Sequence, residues 1–85
     1  MYVIIVYDVK QERVNKFCKF LRRYLCWVQN SVFEGEISLS QYELIKYKLN
    51  KLVKEKDCVI MYTLGKKWLK REVIGEEKGT ISNIV

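Results

Sequence analysis

Two segments of this chain are apolar on both of their alternating faces, and this restricts the available folds more than any other feature. The first, YVIIVYD at residues 2–8, puts Val3 and Ile5 on one face of a strand and Ile4 and Val6 on the other. The second, CVIMYTL at 58–64, is of the same kind and is stopped by Gly65. Strands of this kind need cover on both sides. At 85 residues the chain is one small domain, near the size where a single core is only marginally stable. A second copy packed against the sheet is the simplest source of the missing cover, so the pattern predicts a homodimer.

The segments between these strands have helical period. Over residues 10–25, Val14, Phe17, Cys18, Leu21 and Leu25 form one apolar stripe. Over 40–56 the stripe is Tyr42, Ile45, Leu49, Leu52 and Val53. There Ser40 with Glu43 reads as a capping box, and Leu39 with Leu44 as a hydrophobic staple. Residues 26–37 are strand-like, with a kink, bulge or tight turn at Asn30-Ser31 and a second bend at Gly35. A short last strand fits 70–74. The order is that of a split βαβ unit. The expected fold is α+β, a ferredoxin-like βαββαβ sandwich over residues 1–75, with an extra C-terminal edge strand and sheet-to-sheet dimerisation. Residues 76–85 read as a tail whose apolar end (Ile81, Ile84, Val85) orders on the dimer or a partner.

The formal net charge is +6, which makes nucleic acid the first partner to consider. One side of the first helix carries Lys16, Lys19, Arg22 and Arg23, the expected nucleic-acid-binding residues. One side of the second carries Lys46, Lys48, Lys51 and Lys54. No helix-turn-helix or zinc-finger residues are present to read bases. Histidine is absent, which excludes His-based acid–base catalysis, Ser-His and Cys-His pairs and His-ligated zinc. Cys18, Cys26 and Cys58 form no C-x-x-C pair and read as reduced thiols in the core of a cytoplasmic protein. The start MYVIIVYD has no basic n-region or small-residue cleavage site and so does not read as a signal peptide, and no apolar run approaches the ~20 residues of a membrane-spanning helix.

Asp8, at the end of the first strand, has two compatible readings. Asp8 with Gln11 matches a helix cap with its capping-box partner. A carboxylate here also suits a divalent metal, and a two-fold axis would supply a second one. Tyr7 reads as core or interface, or as a hydroxyl holding water or phosphate. Arg13 reads as a solvated charge, or as a phosphate or transition-state contact. Phe33 reads as a buried strand residue or a base-stacking platform.

The pieces VIIVYDV, R-V-N-K, VQNSVFEGEIS, DCVIMYTL and Gly75 stand in an order that resembles the CRISPR-associated protein two family over the whole length. The resemblance implies a symmetric homodimer in which the last strand of one subunit adds to the sheet of the other. It implies Mg2+ or Mn2+ shared between two Asp8 carboxylates across the dimer axis, with Tyr7, Arg13 and Phe33 at positions linked to activity. It further implies endonuclease action on single-stranded RNA or duplex DNA, and a partnership with the integrase, CRISPR-associated protein one, on duplex spacer precursors. Trp27 stands where many members carry arginine, and Arg13 is alone where arginine is often repeated. Two other functions fit a small basic fold: a non-catalytic adaptor holding DNA, and an RNA-cleaving toxin.

Overall fold

The computed structural model describes residues 1–77. Seven elements follow along the chain: β1 (Tyr2–Asp8), α1 (Gln11–Leu21), β2 (Cys26–Gln29), β3 (Val32–Glu36), α2 (Leu39–Leu52), β4 (Cys58–Leu64) and β5 (Leu69–Gly75). The strands make one antiparallel sheet in the order β2-β3-β1-β4-β5. The two doubly apolar strands, β1 and β4, are neighbours inside it. The fold is thus α+β, with five antiparallel strands and two helices. The expected tail at 76–85 lies outside the described residues apart from Glu76 and Glu77.

One face of the sheet is built from Val3, Ile5 and Tyr7 of β1. Their register partners include Phe33 of β3 and Val59, Met61 and Thr63 of β4. Phe17 and Leu21 of α1 and Tyr42, Ile45 and Leu49 of α2 complete this core, so both helices cover the same face. Ile4, Val6, Val32, Ile60, Tyr62 and Val73 point the other way and stay only half-buried. Among the described residues no helix covers them. The period-two pattern of the sequence therefore corresponds to one covered and one open apolar face.

The second helix begins earlier than the sequence suggests. Ser38, not Ser40, is the N-cap of α2: its Oγ accepts from Gln41 N at 3.2 Å, and Gln41 Oε1 accepts from Ser38 N at 3.0 Å. Ser-x-x-Gln and Ser-x-x-Glu are the same local signal, and the core chooses between them. The earlier start buries Ile37 just before the cap and Tyr42 one turn into the helix. The expected staple, Leu39 and Leu44, is left 64% and 48% exposed. Ser38→Ala is expected to cost about 1 kcal/mol in a urea titration, and Ser40→Ala less than about 0.5 kcal/mol. The reverse order would restore the later cap.

Other local expectations also shift. α1 ends at Leu21 rather than near 25, and a turn closed by Leu25 N donating to Leu21 O at 2.9 Å keeps Leu25 in the core. Asn30 takes φ 43° in the β2–β3 turn, and the register slips between Trp27 and Gln29, so a turn and a bulge are both present. Trp27 Nε1 donates to Asn30 O at 2.9 Å across this turn. Gly35 is not a bend. It lies within β3, where a Cβ would come 3.1 Å from Leu25 Cδ2. The last strand is longer than expected, and β5 pairs along its whole length with β4 of its own chain. Cys58 is buried and Cys18 half-buried, but Cys26 is exposed on β2 and is not a core thiol.

Candidate functional site

Asp8 is the last residue of β1 and is exposed. Strand alternation places it on the open face with Ile4 and Val6, opposite Cys58 of β4. It does not fill the expected helix cap. The N-cap of α1 is Lys10, which has no side-chain cap hydrogen bond.

The start of α1 is held instead by a residue the sequence did not single out. Asp57, just before β4, is fully buried. Its carboxylate accepts from Lys10 N at 3.2 Å and Lys54 N at 2.9 Å. It also accepts from Arg13 Nε at 2.6 Å and Arg13 Nη2 at 2.8 Å. This fork is the geometry that arginine makes with carboxylates. It serves α1 in the manner of a cap, since an anion beside the first turn satisfies orphan N–H groups and meets the positive end of the helix dipole. The Arg13 guanidinium and the two backbone N–H groups hold the Asp57 carboxyl down at about 2, against the desolvation that opposes ionisation.

Arg13 is therefore neither a solvated charge nor, as placed here, a phosphate contact. Nε and Nη2 are bound to Asp57, and Nη1 faces Glu12 at 3.5 Å. Tyr7 and Phe33 lie on the helix-covered face, away from Asp8. Their ring centroids are 6.2 Å apart, and Tyr7 stacks on Phe17 at 5.6 Å. Burial pushes the Tyr7 phenol up, and a hydrogen bond with Ser31 offsets part of that. Phe33 is completely buried, which removes base stacking and leaves it a packing role. Tyr7 and Phe33 thus lie on the opposite sheet face from the Asp8 carboxylate, while Arg13 is bound to Asp57, whose neighbour Cys58 is the register partner of Asp8.

The basic residues divide in a similar way. Lys16 and Lys19 of α1 and Arg23 of the turn after it line a groove with Lys48 of α2, while Arg22 is outside it at the C-cap of α1. Lys46 pairs with Glu72 of β5 at 2.5 Å, and Glu72 also accepts from the Tyr42 hydroxyl, so Lys46 ties α2 to the sheet.

Among the described residues no three His, Cys, Asp or Glu side chains gather as a metal cage. What one chain offers is Asp8, an exposed hard oxygen donor of the kind Mg2+ takes when water and phosphate fill its other positions. That donor chemistry fits the metal, and a second copy of Asp8 would complete the protein's share. No helix among the described residues is long and apolar enough to cross a membrane.

Residues 1–72 match the family described as CRISPR associated protein Cas2. The chain is 51% identical to the CRISPR-associated endoribonuclease Cas2 of Thermococcus kodakarensis, with 100% of each chain covered. It is 52% identical to the protein of the same name from Pyrococcus furiosus, again with 100% of both covered. Among solved structures it resembles a crystal structure of Cas2 at TM-score 0.74 and 48% identity, covering 95% of this chain and 93% of that one. It also resembles Streptococcus pyogenes Cas2 at TM-score 0.69 and 36% identity, over 80% and 90% of the two chains.

Proposed function

The chain belongs to the CRISPR-associated protein Cas2 family, and from that premise we propose that it is a metal-dependent endonuclease acting on single-stranded RNA or duplex DNA. The unit is a homodimer of ferredoxin-like sandwiches packed through their open sheet faces, working in the cytoplasm. One observation carries the reading: Asp8 sits at the rim of an apolar sheet face that no helix or strand among the described residues covers. Two copies packed there about a two-fold axis bring two carboxylates toward one another, which a single chain cannot do. The relatives' name, endoribonuclease, supports the same activity.

In this reading the two Asp8 carboxylates hold Mg2+ or Mn2+. The metal supplies charge stabilisation at the scissile phosphate and a more acidic bound water. With no histidine in the chain, no side chain beside Asp8 is an obvious general base. Asp57 and Arg13 fix the loop that follows Asp8, and Tyr7 anchors its strand in the core.

Wild-type protein is expected to cleave single-stranded RNA in Mg2+ or Mn2+ and to stop in chelator, while light scattering gives the mass of a dimer. A second reading rests on the basic helix layer, which has the charge to track phosphates. In it the protein is an adaptor that holds duplex spacer precursors for the integrase, CRISPR-associated protein one. Duplex binding with no cleavage under any metal would favour it and overturn the nuclease.

A further inference from the structure

The groove between α1 and α2 has a volume of about 280 Å3 and is lined by Lys16, Lys19, Phe20, Arg23, Lys48 and Leu52. Among the described residues that line it are four cations and no carboxylate. Its floor is apolar: Phe20 and Leu52 are half-buried and pack on the core from above. Phe20 is also fixed edge-on against Tyr24, with ring centroids 5.6 Å apart. A surface that only tracks phosphates has no use for a recessed apolar floor. An acidic peptide would meet the cations, but nothing in the groove offers hydrogen bonds to a peptide backbone beyond lysine and arginine heads. A flat aromatic base joined to phosphates satisfies both parts at once.

We infer that this groove is a single-strand subsite, in which one unpaired nucleobase lies on Phe20 and Leu52 while Lys16, Lys19, Arg23 and Lys48 hold the flanking phosphates. The inference rests on the reading of the protein as a nucleic-acid enzyme and adds a basis for selectivity. Bases in a duplex are stacked and paired, and cannot enter the groove. Unpaired strands can place a base there, so the groove favours single strands over duplexes of the same sequence. Lysine and arginine stems along both helices give the base apolar walls, and their heads remain at the rim.

The test measures binding apart from cleavage, with Asp8→Ala protein in chelator and fluorescently labelled 20-mers, one a single-stranded RNA and one a blunt DNA duplex. Lys48→Glu and Lys19→Glu are expected to weaken single-strand binding about tenfold each and to lower the salt slope of log K by about 0.7. Lys66→Glu, outside the groove with the same charge change, should have a much smaller effect. Phe20→Leu keeps the apolar volume but removes the flat face. It is expected to weaken single-strand binding several-fold and leave duplex binding unchanged. Circular dichroism confirms that each variant is folded. If Lys48→Glu behaves like Lys66→Glu, or folded Phe20→Leu binds RNA normally, the subsite is wrong. If free AMP competes as well as the RNA per nucleotide, the groove is a mononucleotide site and the single-strand assignment is overturned. Cleavage by wild type with unaltered binding in the groove variants removes the subsite alone. Altered binding without any wild-type cleavage removes the nuclease alone.

Discussion

Asp8→Ala is expected to abolish metal-dependent cleavage while leaving the fold and the dimer intact. The residue is exposed at a strand end, so its removal opens no cavity. Loss of a metal's outer-shell partner commonly costs 10–100-fold, so loss of a direct ligand should exceed about 100-fold. The shared site makes a sharper claim. If both carboxylates hold one metal, a dimer with a single Asp8→Asn subunit is as inactive as one with two. After subunit exchange, an equal mixture of wild type and Asp8→Asn should then keep about a quarter of wild-type activity rather than about half. Activity near half would show that each subunit works alone. Undiminished cleavage by Asp8→Ala would take the chemistry away from this strand end altogether.

The second large effect concerns stability. Asp57→Ala strands the Arg13 guanidinium and two backbone N–H groups at the start of α1 and the end of α2. Breaking a buried, hydrogen-bonded pair from one side is expected to cost about 3 kcal/mol, a large share of the stability of so small a domain. Urea unfolding at neutral pH measures it. The pH dependence identifies the cause. The carboxyl is held at about 2 in the folded protein against an ordinary value of 3.8, so its ionised form stabilises the fold above 3.8. That contribution fades as pH falls through this window and is gone below about 2. The gap between wild type and Asp57→Asn should therefore be constant from pH 7 to about 5 and narrow toward pH 2. A gap that does not change with pH would mean that shape, not charge, holds the clamp.

The strands were readable because β-branched runs such as VIIV leave little choice of conformation, and two such runs already implied an open face. The helix caps were not. Ser38 and Ser40 carry the same signal, and only the burial of Ile37 and Tyr42 selects between them. Asp8 at the end of a strand looked like a cap because local pattern says nothing of Asp57, which arrives from 47 residues further along the chain to bond Lys10 N. The signal at Asp57 was an acid, two residues after Glu55, at the end of a lysine-rich stretch and directly before an apolar strand. A carboxylate there implies a partner, but sequence spacing cannot name Arg13. The basic residues were legible as a set. Their division into a groove, a helix end and a tie to Glu72 depends on how α1, α2 and β5 come together.

Gly75 closes β5 with φ 95°, and a Cβ there would stand 2.3 Å from the Asp57 carbonyl oxygen, so the strand can end only on a residue without a side chain. Glu76 N then donates to that same oxygen at 2.8 Å. The registers Asp8–Cys58 and Cys58–Gly75 put all three residues in one row across the sheet. At ordinary strand spacing, Gly75 lies about 10 Å from Asp8. The row can serve as a molecular ruler: if Mn2+ binds at Asp8 as proposed, a fluorophore carried at position 76 would stand close enough to be quenched, and metal binding could be followed optically with no substrate turned over.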